Sequence, residues 1–216
     1  NKNRGEQFVM TTQRIFCIGR NYVEHVRELG NEEGDPVIFM KPVTSLVTTD
    51  TAELPLPADG DLDYETELVV EICKAGKALA LEDAPAFIGA LGVGFDLTHR
   101  ALQKFLLSHN QPWERCKAFD NSAPLGELTP FDPAKDDLKH LRFSGYVNEE
   151  LRQSGDTSQM IFPIDRLIVE ISRDWKLLPG DLIFTGTPKG IGRLHGGDIL
   201  SGVDHRGNRC SWKFVK

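Results

Sequence analysis

The hydrophobic pattern of the chain is dominated by short apolar runs that alternate with glycine, proline and charged residues. Residues 64–73 begin with alternating polar and apolar positions and then become almost continuously apolar, which predicts a strand entering the core. Residues 88–97 are apolar and rich in glycine, which predicts a buried strand packed closely against another backbone. Shorter runs predict further strands at residues 13–19, 36–42, 182–185, 198–203 and 209–215.

Other segments have the periodicity of helices or of a hairpin. Residues 98–109 and 163–175 place apolar side chains on one helical face, and residues 22–29 also have helical character. Residues 141–147 and 149–153 predict the two strands of a hairpin. Strands therefore outnumber helices, which predicts an α+β fold that is mostly β-structure.

The sequence has no feature that would divide the chain into several domains. We find no internal repeat, no low-complexity tract and no long linker. We therefore expect residues 10–216 to form a single catalytic domain, a size that is sufficient for a substantial core. Residues 1–9 are polar, so we expect a cloning-derived or disordered extension before a natural start at Met10.

The composition and charge of the chain indicate which kinds of molecule it can bind. Of the 216 residues 40% are hydrophobic and 26% are charged, and the formal net charge is −7. An acidic chain without a run of lysine and arginine repels phosphate backbones and anionic lipids, so we expect no nucleic-acid or membrane partner. No window approaches the roughly 20 apolar residues of a membrane span.

The cysteines point to a reduced protein. They lie far apart, and none forms the C-x-x-C pair of zinc ribbons and redox motifs. Residues 1–9 also lack the apolar region of a signal peptide. We expect a cytoplasmic chain whose thiols are small, reduced core residues: Cys17, Cys73, Cys116 and Cys210.

Three acidic residues form the first candidate site. Glu65 and Glu67 lie two apart on a predicted strand, so their carboxylates point to the same face, and Asp96 lies at the end of another predicted strand. Like charges repel, and a shared divalent cation removes the repulsion. Carboxylates without histidine or thiolate favour Mg²⁺ or Mn²⁺, with Ca²⁺ also compatible. By spacing alone, a solvated sheet face explains Glu65 and Glu67 equally well.

A histidine and a glutamate form the second candidate. His25 and Glu28 are three residues apart on the predicted helix, where they face the same side. A carboxylate raises the basicity of an imidazole and fixes its tautomer, which suits a general base that activates water. By spacing alone, an exposed surface pair is the simpler explanation.

A glycine-rich segment follows the predicted strand at residues 182–185. Residues 186–192 fit neither a P-loop nor a dinucleotide-binding fingerprint. Such a segment can still present backbone N–H groups and the Thr187 hydroxyl to a carboxylate. A plain tight turn is an equal alternative.

Several polar side chains are candidates for holding an anionic substrate. Arg100 and Gln103 follow Asp96 by four and seven residues, a spacing that would place all three on one helical face. Lys117 adds a further cation. Each of these cations and donors, taken singly, is more simply explained as an exposed surface residue.

Taken together, the motifs resemble those of the fumarylacetoacetate hydrolase superfamily. The stretch G-R-N-Y-x-x-H-x-x-E spans residues 19–28, and F-T-G-T-P-K-G at residues 184–190 is the most recognisable signature. Between them lie F-M-K-P, E-x-E, G-F-D-L-T and K-A-F-D, beginning at residues 39, 65, 94 and 117. The resemblance covers about residues 14–215. Tyr64 is a departure, since many relatives have histidine before the first glutamate.

The small single-domain branch of that superfamily is the most similar. It implies the mixed β-roll or sandwich fold of the C-terminal domain type, a homodimer and one Mg²⁺ or Mn²⁺ per chain. The metal ligands would be the three carboxylates described above, and the catalytic residues would be His25, Glu28 and Lys117. Further residues would contact the substrate: Arg20, Lys41, Arg100, Gln103 and Thr187.

The activity implied by the resemblance is metal-dependent cleavage of the C–C bond of acylpyruvates, such as fumarylpyruvate, through a metal-bound enolate, as in aromatic catabolism. An oxaloacetate decarboxylase or a 2-hydroxyhepta-2,4-diene-1,7-dioate isomerase passes through a similar enolate, so the sequence leaves all three open. A non-catalytic 2-oxo-acid binding protein is the alternative from another class. The joint presence of the carboxylates, the dyad and the lysine disfavours it.

Overall fold

The computed structural model describes residues 11–24 and 36–216. The expected extension at residues 1–9, Met10, and the predicted catalytic residues His25 and Glu28 lie outside the described residues. Most of the predicted helix at residues 22–29 lies outside them too.

The described residues are built mainly from strands, as the hydrophobic pattern predicts. The α-helices that lie wholly within the described residues are α1 (Arg100–Ser108), α2 (Glu114–Lys117) and α3 (Ile164–Asp174). The strands are β1 (Ile15–Gly19), β2 (Val37–Lys41), β3 (Leu46–Val47), β4 (Glu53–Pro55), β5 (Asp63–Tyr64), β6 (Thr66–Ile72), β7 (Ile88–Phe95), β8 (Ala123–Pro124), β9 (Thr129–Pro130), β10 (Arg142–Val147), β11 (Glu150–Asp156), β12 (Leu182–Phe184), β13 (Gly192–Arg193), β14 (Ile199–Val203) and β15 (Arg209–Val215).

Two larger sheets form the framework. The first has the order β2-β1-β12-β6-β7-β9, and the second has the order β11-β10-β14-β15-β4. Two further sheets have only two short strands each: β13 pairs with β5, and β3 pairs with β8. All but two of the neighbouring strand pairs in the larger sheets are antiparallel; β1 pairs with β12, and β15 with β4, in parallel. The mixed, β-dominated architecture expected from the sequence is confirmed.

The pairing of the first sheet brings distant parts of the chain to one place. β6 and β7 run antiparallel, with Glu67 opposite Gly94, so the start of β6 lies beside the end of β7. β12 pairs with β6 through Phe184 and Val69, and the chain leaves β12 next to the same edge. Residues from three separate segments therefore converge at one end of the sheet.

The second sheet packs against the first through small and aromatic residues. Gly202 lies against Val93 and Phe95, and the ring of Trp212 meets Phe95 edge-on at a centroid distance of 5.9 Å. α3 buries Leu167, Ile168 and Ile171 in the same core, which confirms the predicted apolar face. Among the described residues, no helix has the length and apolar character that crossing a membrane requires.

At Gly145, β10 of the second sheet lies directly against Thr66 of β6 in the first. A Cβ on Gly145 would overlap the Thr66 hydroxyl and lie 2.9 Å from Thr66 Cβ. Thr66 is fully buried between two glutamates, so it has little room to move. We expect Gly145→Ala to lower the free energy of unfolding by about 1–3 kcal/mol, the usual cost of overpacking.

Chemical denaturation of the two proteins measures this effect. Gly196→Ala is the matched control, because the nearest atoms to its Cβ belong to the flexible Lys216 side chain, 3.0 Å away at the nearest. Equal midpoints and slopes for native protein and Gly145→Ala would show that the sheets can separate here at no cost.

Candidate active site

Three buried carboxylates lie at the end of the first sheet where the segments converge. Ligand atoms of Glu65, Glu67 and Asp96 all lie within 4.8 Å of one another. Glu67 belongs to β6, whereas Glu65 precedes it and Asp96 follows β7. Asp96 N donates to Glu65 O at 2.8 Å, which fixes the two strand ends together. These residues are 5%, 1% and 2% exposed, so the solvated sheet face is wrong for this pair of glutamates.

Glu67 is the carboxylate most affected by this environment. Burial raises the pKa of Glu67 well above its ordinary value, and the charges of Asp96 and Glu65 raise it further. The backbone N–H of Gly186 donates to Glu67 Oε2 at 2.8 Å and acts in the opposite direction. Burial and the neighbouring carboxylates favour the neutral form of Glu67, whereas a positive charge beside it favours the ionised form.

Lys117 lies between two of the carboxylates. Its ammonium donates to Glu65 Oε2 at 2.9 Å, to Asp96 Oδ2 at 2.7 Å and to Thr98 Oγ1 at 2.6 Å. Burial lowers the pKa of Lys117, but the charges of Asp96 and Glu65 outweigh burial and hold the pKa above its usual value. Lys117 is therefore a buried, permanently charged group at the site, not the exposed surface residue that its position alone suggests.

Lys41 contacts one of these carboxylates, Asp96, at the oxygen that Lys117 does not use. Its Nζ lies 2.8 Å from Asp96 Oδ1 without the angles of a hydrogen bond. It donates to Leu97 O, Lys117 O, Ser122 O and Ser122 Oγ. With its side chain fully buried and engaged in this way, Lys41 orients Asp96 and the Lys117 backbone; a substrate contact through Lys41 stays a prediction.

Arg100 reaches the cluster by a route that the sequence did not predict. α1 begins at Arg100 and Asp96 belongs to the strand exit, so the expectation that Asp96, Arg100 and Gln103 share one helical face is wrong. Arg100 Nη2 donates to Glu65 Oε1, Nε donates to Asp63 Oδ2 at 3.1 Å, and Nη1 donates to Gln103 Oε1 at 2.5 Å. Burial lowers the pKa of Arg100, but Glu65 and Asp63 raise it above its usual value.

The remaining predicted substrate contacts differ in position. Thr187 Oγ1 donates to Thr66 O and accepts from Gln153 Nε2, both at 2.8 Å, so its single hydroxyl hydrogen is already used. Arg20 is half-buried at the end of β1 with φ at 62°, and the described contacts do not place it in the cluster. A role for either residue toward a substrate stays a prediction.

The structure adds residues that sequence reasoning missed. Thr98 and Ser122 contact the two lysines; Thr98 ends the G-F-D-L-T motif without having been given a role, and Ser122 lies five residues after Lys117. Asn21 Nδ2 donates to Thr185 O at 2.7 Å and to Phe162 O at 3.0 Å, which ties the segment before His25 to the loop after β12. Asn21 belongs to the motif at residues 19–28, but its partners lie 141 and 164 residues away, so local sequence does not show what it contacts.

The chemistry of the donor set tests whether a metal fits. Three carboxylates with no thiolate or imidazole among them are the donors that hard divalent cations prefer. The residues present therefore fit a hard divalent cation next to buried lysine and arginine, an arrangement suited to an anionic ligand.

Comparison with known proteins places the chain in a family. The profile of the family described as fumarylacetoacetate (FAA) hydrolase C-terminal matches residues 14–207. The chain belongs to the fumarylacetoacetate hydrolase family, which confirms the resemblance that its motifs show.

Relatives in this family have several named activities. The chain is 38% identical to an oxaloacetate tautomerase of Escherichia coli strain K12, with 87% of this chain and 86% of the relative covered. It is 34% identical to a mitochondrial oxaloacetate decarboxylase of Dictyostelium discoideum, with 90% and 89% covered.

A solved structure shows the same fold with a metal. Fumarylpyruvate hydrolase from Pseudomonas aeruginosa, in complex with Mn²⁺ and pyruvate, matches with a TM-score of 0.91 at 36% identity, and the match covers 98% of this chain and 93% of that chain. The relatives are enzymes named for hydrolysis, decarboxylation or tautomerisation, and this chain is an enzyme of the same family.

Proposed function

We propose that the protein is a divalent-metal-dependent hydrolase that cleaves the C–C bond of acylpyruvates of the fumarylpyruvate type. The observation that supports this most directly is the buried ammonium of Lys117, held 2.9 Å from Glu65 and 2.7 Å from Asp96 beside the three-carboxylate cluster. A fixed positive charge in a dry site stabilises negative charge that develops during a reaction. Cleavage of a 2,4-dioxo acid develops such charge on two carbonyl oxygens.

The charge of the site supports an anionic substrate. Four buried carboxylates, those of Asp63, Glu65, Glu67 and Asp96, face three cationic groups: Lys41, Lys117 and Arg100. A divalent cation at Glu65, Glu67 and Asp96 would leave one positive charge in excess. Because buried charges require compensation, an anionic 2-oxo acid matches this excess better than a neutral ligand does.

The chemistry divides between the cation and the chain. Mg²⁺ or Mn²⁺ held by Glu65, Glu67 and Asp96 would supply Lewis-acid stabilisation of enolate charge. Lys117 would stabilise the oxyanion that forms at C4 when water attacks. Its three N–H groups bond to Glu65, Asp96 and Thr98, and a cation that takes the carboxylate oxygens would free one of them for this contact. Lys41 keeps Asp96 in position throughout, since its own contacts are all made within the protein.

The attacking water would be activated by the predicted pair of His25 and Glu28. His25 follows Asn21 by four residues, and the covalent chain keeps their Cα atoms within roughly 14 Å of each other. Asn21 contacts Thr185, whose neighbour Gly186 donates to Glu67. This short path supports a role for His25, oriented by Glu28, as the base that deprotonates water.

A second candidate is tautomerisation or decarboxylation of oxaloacetate. It is favoured by the curated relatives, which are an oxaloacetate tautomerase at 38% identity and an oxaloacetate decarboxylase at 34% identity. Oxaloacetate is also an anionic 2-oxo acid, and its enolate needs the same cation and the same lysine. These reactions need no attacking water, so they do not require the hydrolytic role of His25.

A direct assay separates the candidates. The protein is supplied with Mn²⁺ or Mg²⁺ and with fumarylpyruvate, acetylpyruvate or oxaloacetate, and pyruvate release and enol absorbance are followed. Metal-dependent pyruvate release from the acylpyruvates, faster than any reaction of oxaloacetate, supports the hydrolase. Faster keto–enol exchange of oxaloacetate, or its decarboxylation, with no acylpyruvate cleavage would replace the first candidate by the second. The homodimer and the cytoplasmic location stay predictions.

His25→Ala is expected to lower kcat for acylpyruvate hydrolysis by roughly 10²–10⁴, the usual contribution of general acid–base catalysis. Mn²⁺ affinity should stay at the native value, because His25 is not among the proposed ligands. His195→Ala, on an exposed side chain, is the control. Native hydrolysis rates in His25→Ala would remove this residue from the mechanism.

A further inference from the structure

A buried glutamine of the second sheet contacts the strand that carries the carboxylates. Gln153 is 1% exposed. Its Oε1 accepts from Thr66 N at 2.8 Å, and its Nε2 donates to Thr187 Oγ1 and to Pro188 O, both at 2.8 Å. One side chain of β11 thus joins β6, between Glu65 and Glu67, to the loop that follows β12.

A β-bulge brings this residue to the inner face. In the pairing of β10 with β11, Gly145 lies opposite Gln153 but the next residue, Tyr146, lies opposite Leu151, so Arg152 is the extra residue. Residues opposite each other share a face, which places Gln153 inward with the buried Gly145. A regular register would put Arg152 opposite Gly145 instead. The bulge therefore places a neutral amide, in place of a guanidinium, beside Thr66.

The loop at residues 185–190, called here the active-site loop, is held along its whole length. Gly190, with φ at +100°, lies so close to the bulge that a Cβ would overlap the carbonyl oxygen of Arg152. At its other end the loop follows β6 residue by residue, through Thr185 to Leu68 O, Gly186 to Glu67 Oε2 and Thr187 to Thr66 O. Gln153 bonds to both the loop and β6, and so it fixes the distance between them.

We propose that Gln153 is a positioning residue of the active site, which holds the active-site loop on β6 so that Gly186 N–H stays directed at Glu67. It acts through the loop and through Thr66, because its polar atoms are occupied by those partners. Only the turnover part of its test rests on the proposed function. The metal-affinity part depends on the Glu67 contact alone.

Gln153→Met tests the proposal by removing all three hydrogen bonds while keeping the side-chain length. We expect Mn²⁺ affinity to fall roughly 10-fold, because the loop no longer holds its N–H on Glu67. We expect kcat/KM to fall roughly 10- to 100-fold, with a raised KM, because the geometry of the site is looser. Gln159→Met is the matched control, since Gln159 is exposed just beyond β11 and should behave as the native protein does.

Thr187→Val supplies a second route should Gln153→Met not fold. It removes one of the two acceptors of Gln153 Nε2, together with the hydrogen bond from Thr187 Oγ1 to Thr66 O, and keeps the bond between Gln153 and Thr66 N. We expect a loss of roughly 3- to 10-fold in kcat/KM. In the double variant the losses should be less than multiplicative, because both changes break the same contact.

The outcomes separate this proposal from a purely structural role and from the proposed function. A lower melting temperature with native Mn²⁺ affinity and native KM would overturn positioning by Gln153, as would multiplicative losses in the double variant. If the native protein turns over no 2-oxo acid, the proposed function fails and the Mn²⁺ comparison still decides the role of Gln153. Weaker Mn²⁺ binding in Gln153→Met, with native Mn²⁺ binding in Gln159→Met, would then support the positioning role of Gln153.

Discussion

Glu67→Gln is expected to lower the affinity for Mn²⁺ by more than about 100-fold, and turnover should be lost with it. Partners that only orient metal ligands cost 10- to 100-fold when removed, so loss of a ligand charge should cost more. Titration calorimetry on metal-free protein measures this affinity. The amide keeps an oxygen that can accept from Gly186 N–H, so the local hydrogen bond of the native side chain is preserved.

The same variant should keep or gain stability in the absence of metal. Burial and two neighbouring carboxylates raise the pKa of Glu67, so the folded state favours its neutral form. A carboxyl with a raised pKa stabilises the fold at low pH and loses that contribution as the pH rises through the raised value. At neutral pH the ionisable Glu67 side chain therefore lowers the free energy of unfolding, and the amide removes this effect. The melting temperature of metal-free Glu67→Gln should equal or exceed the native value.

Glu71→Gln is the matched control for this pair of effects. Glu71 lies on β6 in the same alternation as Glu67, it is half-buried, and burial also raises its pKa. It does not belong to the cluster, so its amide variant should bind Mn²⁺ with native affinity. Stoichiometric Mn²⁺ at native affinity in Glu67→Gln would remove Glu67 from the ligand set.

Most of the framework could be predicted from the sequence because its strands carry strong local signals. The continuous apolar stretch that became β6 and the glycine-rich stretch that became β7 specify buried strands by composition alone. The hairpin of β10 and β11 turns at Asn148 and Glu149, both with positive φ, as a two-residue turn requires. The bulge at Arg152 has no such local mark, because it depends on how β11 packs against β6.

The site was predictable only where its residues belong to a recognisable motif. Glu65, Glu67 and Asp96 meet because β6 and β7 pair in register; the two strands were predicted, but their pairing was not. The position of Arg100 was misjudged because a helical spacing was extended across the end of β7, where the chain is still extended. Gln153 was missed because its partners are 34 and 87 residues away in the chain, beyond any periodicity.

Lys117→Met is expected to separate turnover from metal binding. Removal of one preorganised donor to a developing oxyanion typically costs roughly 10²–10³ in kcat, and Lys117 is proposed to be that donor. Its ammonium bonds directly to Glu65 and Asp96, two of the proposed ligands, so it also competes with a cation for their oxygens. Without it, Mn²⁺ affinity should stay at the native value or rise, while kcat falls.

The metal-free Lys117→Met protein should also be less stable than the native protein, since Glu65 and Asp96 lose the cation between them. Mn²⁺ should then raise its melting temperature by more than it raises the native one, because a ligand that binds only the folded state stabilises it. Lys104→Met, on the exposed side of α1, controls for the loss of one lysine. If Mn²⁺ affinity and kcat fall together in Lys117→Met, the lysine organises the carboxylates; if only kcat falls, its charge acts on the reacting substrate.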